Sequence, residues 1–229
     1  MAASINVTEL TRRRGGPWTT GARSVAALAV LMVLSAGCTS TDGSPPVSDT
    51  GAGSPPPAGP VLGSGLLVTD PPHNEVQPFP APGTCRARTV PGGVLPDSHC
   101  TPGAVDPHVT EATVNTTVCR PGGYTSTVRP PTSVTDPEKR PALAAYGQTA
   151  SPSGYELDHL VPLSLGGTPN TAANLWPEPD PTPNPKDKLE GALHDLLCAH
   201  RISLDDAQRM IAENWITAYQ QILGTSPPS

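Results

Sequence analysis

Positive charge is scarce in this chain. Its 229 residues include 14 Lys and Arg against 20 Asp and Glu. Removal of residues 1–37, which we expect to be an export signal, takes away four Arg and one Glu and leaves 10 basic and 19 acidic residues. Nucleic-acid-binding proteins usually carry a basic surface, because contacts with phosphates dominate their affinity. The composition therefore disfavours a protein that binds nucleic acid through net charge alone.

A few basic residues do lie close together in the sequence. They precede the most polar motif of the chain and comprise Arg120, Arg129, Lys139 and Arg140. If the fold gathers them, they form a patch that faces phosphate groups. The alternative is that they are separate, solvated surface residues.

The chain also lacks an apolar run long enough to span a bilayer. The run at residues 25–34 is short, whereas a transmembrane helix needs about 20 apolar residues. Arginines precede this run, and small residues lead from it to Cys38, as in an export signal. The small residues before Cys38 resemble a bacterial lipobox, which implies that Cys38 is diacylated, palmitate being one such chain, and becomes the first mature residue. We therefore expect a signal peptide at 1–37 and a lipid anchor on the extracytoplasmic face of the cell membrane; a plain cleaved signal peptide is the alternative.

Composition divides the remainder of the chain. Residues 38–83 are dominated by Pro, Gly, Ser, Thr and Asp, so they bury too little apolar surface to offset the entropy of ordering. We expect them to form a disordered tether, and residues 224–229 a disordered tail. The globular domain then covers residues 84–223, a length that suits one hydrophobic core.

Apart from Cys38, the cysteines are even in number and contain no Cys-x-x-Cys pair. They are Cys85, Cys100, Cys119 and Cys198. In an exported protein such a set is typical of two disulfides rather than a zinc site. Three pairings exist, and the sequence alone does not choose between them. We prefer Cys85–Cys100, which closes a short loop, and Cys119–Cys198, which connects the N-terminal half to a C-terminal helix.

Local patterns predict the secondary structure. Two β-branched segments, 114–118 and 124–128, read as short strands around a Gly-Gly turn, and residues 137–147 as a short helix ended by glycine. Apolar residues at helical spacing predict two more helices, 186–198 and 204–222, the second capped by Ser203, which together form a helical hairpin. We expect His194 and His200 to be surface or capping residues.

The most informative segment is residues 155–167, followed by residues 174–177. It places Asp158 and His159 side by side on an apolar, β-prone run, before a Gly-Gly turn and the pair Asn174-Leu175. A carboxylate beside an imidazole suits metal-assisted hydrolysis, because the carboxylate binds a hard cation and the imidazole takes a proton from water. The other interpretation is a structural pair, in which the Asp orients a buried imidazole.

Together with Asn184, these residues resemble the HNH endonuclease motif. The resemblance implies an α+β domain with a ββα-metal core. It implies that His159 is the general base, that Asp158 is a metal ligand, and that Asn174 holds the loop that orients His159. Asn184 matches the third motif position and would be the second metal ligand, but it lies in a Pro-rich stretch, so Asp187 is the alternative.

The resemblance further implies one bound Mg²⁺ ion, or Mn²⁺ or Ni²⁺ in its place. It makes DNA or RNA outside the cell the expected substrate and the membrane, through Cys38, the expected partner. The leading hypothesis is therefore an HNH-type metal-dependent endonuclease that hydrolyses phosphodiester bonds. The alternative is a catalytically inactive HNH-fold lipoprotein that acts as a binding module at the cell surface.

Overall fold

A computed structural model describes residues 65–179 and 183–228 of the chain. This part is a mixed α and β structure with three two-stranded sheets and four helices. No helix among the described residues is long and apolar enough to cross a membrane. The expected signal peptide, the lipid anchor at Cys38 and the first part of the expected tether lie outside the described residues.

The strands are short and pair in three separate sheets. They are β1 (Leu67–Val68), β2 (Arg88–Val90), β3 (Gly93–Leu95), β4 (Ala104–Val105), β5 (Tyr155–His159) and β6 (Leu175–Pro179). β1 pairs with β4 in parallel, β2 with β3 antiparallel, and β5 with β6 antiparallel. β5 lies at the start of the β-prone run at residues 155–167.

The four helices are α1 (Thr125–Val128), α2 (Thr132–Ala145), α3 (Pro185–Cys198) and α4 (Leu204–Leu223). α3 and α4 form the predicted hairpin, and Ser203 caps α4 by accepting a hydrogen bond from the backbone N–H of Asp206. α4 is broken at Asn214, whose backbone is not helical and whose side chain accepts from the N–H of Thr217. Asn214 therefore acts as a cap for the second half of the helix.

The two predicted strands before residue 130 are wrong. Residues Val114–Thr116 form a short 3₁₀ helix, and the second segment forms α1. Hydroxyl groups explain the first difference, since Thr116 and Thr117 both donate side-chain hydrogen bonds to the carbonyl of Thr113. Such local bonds compete with strand pairing. They leave Val114 and Val118, one helical turn apart, both buried in the core.

The predicted helix at residues 137–147 starts earlier than the sequence indicated. α2 begins at Thr132 and contains Pro137 and Pro141 in its interior. Val134, Ala142 and Leu143 of this helix are buried, and burial of their apolar surface offsets the backbone hydrogen bonds that the prolines remove. Gly147, in the left-handed conformation at φ 65°, follows the helix as predicted.

The ordered domain extends further towards the N-terminus than residue 84. Leu66 is buried in the main core. Three hydrogen bonds hold the residues that come after Leu66 in the sequence. Thr168 Oγ1 donates to the carbonyl of Thr69 (2.8 Å), and Asn170 Nδ2 donates to the carbonyl of Glu75 (2.6 Å). The N–H of Gln77 donates to Glu138 Oε1 (2.6 Å). Residues 65–83, which we had assigned to the tether, therefore pack on the domain. At the other end Pro227, from the expected tail, is buried too.

The core has two parts, and each disulfide lies beside one of them. The larger part contains the apolar faces of α3 and α4, and the smaller one surrounds Leu160 and Trp176. Cys85–Cys100 adjoins the smaller part and Cys119–Cys198 the larger one, with Cα–Cα distances of 5.8 and 5.4 Å. Both preferred disulfide pairings are thus confirmed.

Candidate functional site

The site is built on β5, β6 and the first turns of α3. Side chains alternate between the two faces of a strand, so Glu156 and Asp158 share one face of β5. The register of the sheet places Glu178 opposite Glu156 and Trp176 opposite Asp158. α3 follows this pair of strands and brings in Lys186. We call Lys186 and the three carboxylates whose charges act on it the Lys186 cluster; its members are Asp158, Glu178, Lys186 and Glu190.

Lys186 lies at the centre of this cluster and is completely buried. Its Nζ donates to Asp158 Oδ2 (2.8 Å), to the carbonyl of His159 (2.9 Å) and to Glu190. Burial alone would lower the pKa of Lys186, but the carboxylates of Asp158 and Glu190 outweigh it and raise that pKa. Lys186 is therefore a permanent cation in the interior of the domain.

Burial keeps part of this cluster uncharged. Burial, together with the charge of Asp158, raises the pKa of Glu178 to about 9. Burial also raises the pKa of Glu190 to about 7, although Lys186 opposes this shift. The carboxyl of Glu178 is thus protonated at neutral pH and lies in the same cluster as the Lys186–Asp158 ion pair. Loss of its proton would add a buried negative charge.

His159 is buried and neutral. Its Nε2 lies 2.8 Å from the carbonyl oxygen of Pro169, and since a carbonyl can only accept, Nε2 carries the proton. Nδ1 is then the nitrogen with the free lone pair. Burial lowers the pKa of His159 to about 4. At neutral pH the ring is therefore in the form that can accept a proton.

Asn174 fixes the loop that follows His159. It is fully buried, and its Oδ1 accepts from the N–H of Val161 (2.9 Å), while its Nδ2 donates to the carbonyls of Val161 (2.9 Å) and Thr168 (3.0 Å). Gly167 makes this close approach possible, since a Cβ at that position would collide with the carbonyl of Val161. The side chain of Asn174 therefore replaces backbone pairing across the loop.

Asn184 and Asp187 form a capping box at the start of α3. Asn184 Oδ1 accepts from the N–H of Asp187 (3.2 Å), and Asp187 Oδ2 accepts from the N–H of Asn184 (3.0 Å). Asn184 Nδ2 donates to Glu178 Oε2 (3.1 Å). The side chain of Asn184 is thus committed to the helix cap and to Glu178.

Two adjoining cavities open at these residues. The first, of about 240 Å³, is lined by Asp158, His159 and Asp187 among others. The second, of about 430 Å³, shares Arg129, Glu156 and His159 with the first and adds Lys139. Two of the four scattered basic residues, Arg129 and Lys139, are therefore gathered beside His159.

The other two basic residues lie apart from these cavities. Arg120 donates to the carbonyl of Gly123 (2.6 Å) and lies over the ring of Tyr124 (5.6 Å from guanidinium carbon to ring centroid). Arg140 is exposed and lines neither cavity. Of the four residues of the predicted basic patch, Arg129 and Lys139 thus lie together at the site.

Two residue groups in the described part of the chain could hold a metal ion. They are Cys119, His194 and Cys198, and Asp70, Asp106 and His108. Neither contains a predicted ligand. Asp158 and Asp187 line the same cavity, but their oxygens do not form a comparably compact group with a third acidic, His or Cys side chain among the described residues. The donors present are carboxylate oxygens, which suit Mg²⁺ and similar ions.

Several members of the site were not assigned a role from the sequence. They are Glu156, Glu178, Lys186, Glu190 and, as a hydrogen-bond donor to Asp158 Oδ2 at 3.0 Å, Trp176. The sequence pattern contains a signal for these residues. Glu156 and Asp158 are two positions apart on one strand, and Trp176 and Glu178 are two positions apart on the next, so each pair shares a face. Lys186 and Glu190 are one helical turn apart.

His194 is more buried and makes more contacts than the sequence predicts. It is half-buried rather than a surface residue, and its Nε2 lies 3.0 Å from the carbonyl of Val118 and 3.4 Å from Cys198 Sγ. The available signal was the spacing of His194 and Cys198, which puts both side chains on one face of a helix.

Comparison with protein-family models, with curated proteins and with solved structures gives no match to this chain. What the site does must therefore be argued from its own geometry and charges.

Proposed function

We propose that this protein is a metal-dependent hydrolase of phosphodiester bonds in extracellular nucleic acid, with β5, β6 and α3 as a ββα-metal core. The observation that carries the proposal is the state of His159. A buried, neutral imidazole lines a cavity beside carboxylates, and a backbone carbonyl holds its Nε2–H so that Nδ1 is the basic nitrogen. This arrangement suits removal of a proton from an attacking water.

His159 acts as the general base in this proposal. Its Nδ1 takes the proton from water while Nε2–H stays bonded to the carbonyl of Pro169. That bond fixes both the tautomer and the plane of the ring, and it strengthens as the ring becomes positively charged. Asp158, next in sequence, stabilises the resulting charge.

Asn174 is a positioning residue. Its three short hydrogen bonds hold residues 161–168, and its own carbonyl accepts from the N–H of Leu160 (2.8 Å). The backbone on both sides of this loop is thereby tied to one side chain. Loss of the amide would disorder the support of His159 without removing a reacting group.

Asp158 and Asp187 are the residues that would hold a divalent cation of the Mg²⁺ class, with Mn²⁺ and Ni²⁺ as substitutes. An ion bound there would supply charge stabilisation for the pentavalent phosphorus and the leaving oxygen. Glu156 and Glu190 line the same cavity, and this acidic lining favours a cation. Asp187 suits this role better than Asn184, because the capping box uses the single side-chain oxygen of Asn184 but only Oδ2 of the two carboxylate oxygens of Asp187.

Arg129 and Lys139 are the residues proposed to bind the phosphates of the substrate. Both line the larger cavity, in which His159 also lies. The chain as a whole is acidic, so we assign the attraction of DNA or RNA to the positive charge of this local patch. Binding should consequently be weak, best at low salt and dependent on divalent cation.

One observation favours the rival function, an inactive fold kept as a binding module. Lys186 Nζ lies 2.8 Å from Asp158 Oδ2, so a cation is already present at the carboxylate proposed as a metal ligand. In this alternative the lysine replaces the ion, and the cavity binds a partner without hydrolysing it. Metal binding separates the two, because the hydrolase needs a divalent ion at Asp158 and the binding module does not.

Hydrolysis itself is the direct test. The oxidised, detergent-solubilised protein is incubated with supercoiled plasmid, single-stranded DNA or RNA in Mg²⁺, Mn²⁺ or Ni²⁺, with EDTA as the control. We expect nicking that EDTA stops and that His159→Ala reduces by about 10²–10⁴-fold. Intact substrates in all three metals, with no ion bound, would favour the binding module.

We also propose that the protein is anchored to the extracytoplasmic face of the membrane through acylated Cys38. Metabolic labelling with a palmitate analogue tests this. We expect label in the wild type, no label in Cys38→Ser, and release of that variant from the membrane fraction. Equal labelling of both proteins would contradict the proposal.

A further inference from the structure

A second cluster of metal-ligating side chains lies away from the cavities described above. Cys119 Sγ, His194 Nε2 and Cys198 Sγ all lie within 4.8 Å of one another, and all three residues are half-buried. His194 and Cys198 are one turn apart on α3, and Cys119 follows the 3₁₀ helix Val114–Thr116. Two thiolates and an imidazole are the ligand types that zinc prefers.

In the oxidised protein this cluster is closed, because Cys119 and Cys198 form a disulfide. A disulfide sulfur carries no thiolate charge and is a poor ligand, so the ion has only His194 to bind. Opening the disulfide supplies the two missing ligands. The cluster therefore has two chemically different states.

The three ligands stay close together when the disulfide opens. His194 Nε2 lies 3.0 Å from the carbonyl of Val118, which precedes Cys119 and is buried in the core. On the other side, Leu193 and Leu197, which precede His194 and Cys198, are fully buried. Core packing thus fixes the backbone on both sides of the bond. Partial exposure of all three residues gives reductant and metal a route in.

The second disulfide provides an internal comparison. Cys85 is completely buried and packs with Ala145 and Tyr146, and the groups of ligands found among the described residues do not include Cys85 or Cys100. Reduction of Cys85–Cys100 therefore releases two thiols without a third ligand. The difference between the two disulfides lies in His194.

We propose that Cys119, His194 and Cys198 form a redox-gated site for a zinc-class cation. A dithiol supplies two electrons and two protons and becomes a disulfide itself, or a phosphine supplies the electrons and becomes its oxide while water supplies the oxygen and the protons; the S–S bond breaks, and two thiols form. The cation then displaces the two thiol protons and binds both sulfurs and Nε2 of His194, whose proton moves to Nδ1. Water fills the fourth position. This inference is independent of the proposed hydrolase, since it uses none of the residues around His159.

Cobalt absorption tests the proposal on the full chain, because Co²⁺ bound to thiolates gives a sulfur-to-metal charge-transfer band. We expect no band in the oxidised protein and one equivalent of Co²⁺ with two thiolates after treatment with a phosphine reductant. Zinc should displace the cobalt. Circular dichroism recorded on the same samples reports whether the reduced chain keeps its helices.

Variants assign the ligands. Cys198→Ser or Cys119→Ser should abolish the band, and His194→Ala should weaken binding by at least tenfold. The double variant Cys85→Ser/Cys100→Ser should bind as the wild type does, and His108→Ala excludes the cluster of Asp70 and Asp106 as the source. A folded, reduced wild type without the band would overturn the proposal, as would a band that survives Cys119→Ser. If the reduced chain unfolds, zinc should restore the helical signal, and failure to do so would also overturn it.

Discussion

The buried side of α3 joins two regions of opposite chemistry. Further along the helix it carries Leu193 and Leu197, which with Leu189 are buried against α4 and neighbouring apolar groups. Near the start of the helix the same side carries Lys186 and Glu190, within a cluster of buried ionisable groups. The first arrangement stabilises the fold through burial of apolar surface. The second keeps carboxyl groups with raised pKa values close to His159, an arrangement that is common at functional sites.

Removal of the buried positive charge of Lys186 should have the largest effect on the free energy of unfolding. Lys186→Met leaves Asp158 and Glu190 without their buried cation, so the free energy of unfolding should fall by about 3–5 kcal/mol. Urea unfolding at pH 7 measures the loss. Lys188→Met is the matched control, because Lys188 is exposed on the same helix, and its effect should stay within about 0.5 kcal/mol. Equal losses in both variants would show that the buried position of Lys186 has no special effect on stability.

In the apolar region, Leu193→Ala should lower the free energy of unfolding by about 2–5 kcal/mol, because the site is fully buried and a cavity remains. Leu196→Ala, on a half-buried position of the same helix, should lose clearly less. The loss in Leu193→Ala should not vary with pH, in contrast to losses in the Lys186 cluster. A strong pH dependence would show that the two regions are coupled.

His159 should make the stability depend on pH. Its folded pKa of about 4 lies below its ordinary value of 6.5, so the unfolded chain takes up the proton first as pH falls. The contribution is fully present above pH 6.5 and is lost between pH 6.5 and 4, by up to about 3 kcal/mol. Glu178, with its raised pKa, acts in the opposite direction over part of this range.

The contribution of His159 is therefore measured as a difference. The free energy of unfolding of the wild type minus that of His159→Asn should decrease as pH falls from 6.5 to 4. His200→Gln, on an exposed histidine, is the matched control. A constant difference for His159→Asn would mean that the imidazole is not held neutral.

Glu178→Gln should stabilise the protein at alkaline pH. The folded carboxyl has a raised pKa of about 9, so as pH rises above 4.5 the unfolded chain loses this proton first and stability is lost. Glutamine retains an acceptor for Asn184 Nδ2 and removes the ionisable group. We expect a gain of about 1–2 kcal/mol at pH 8 that disappears near pH 4.5. Thermal unfolding at both pH values measures it, and a loss at pH 8 would contradict the raised pKa of Glu178.

The smallest effect concerns the start of α4. Ser203→Ala removes the side-chain acceptor for the N–H of Asp206 and should cost about 1 kcal/mol. Thr217→Ala, on an exposed position of the same helix, is the control. Circular dichroism during thermal unfolding measures the loss of stability. A loss that does not vary with pH would show that this cap, like the apolar region, acts independently of the ionisable cluster.

The apolar region of α3 and α4 is the part of the fold that the sequence predicts best. The hairpin of α3 and α4 follows from apolar residues at helical spacing, and its cap from Ser203, because these signals are local. The role of Asn174 as a loop support follows from the resemblance to the HNH motif and not from a local pattern, because one of its partners, Val161, is 13 residues away in the sequence. The strand predictions before residue 130 failed because the hydroxyl of a threonine can bond to its own backbone, which periodicity does not report.

The charge cluster could not be predicted in full. Lys186 lies close to Asp158 only because β6 and the start of α3 bring it back across the sheet. Residues 65–83 resemble a linker in composition, yet backbone carbonyls at Thr69 and Glu75 receive hydrogen bonds from Thr168 and Asn170. Contacts of this range depend on the whole fold, and no local pattern contains them.

Metal binding and plasmid cleavage, measured in parallel on the same two variants, test the proposed function most directly. His159→Ala should bind Mn²⁺ with nearly the affinity of the wild type and cleave about 10²–10⁴-fold more slowly, since a base is lost and the ligands remain. Asp158→Asn should lose both the ion and the activity, with folding checked by circular dichroism. Wild-type cleavage by His159→Ala, or unchanged Mn²⁺ affinity in Asp158→Asn, would contradict the assignment of these two residues.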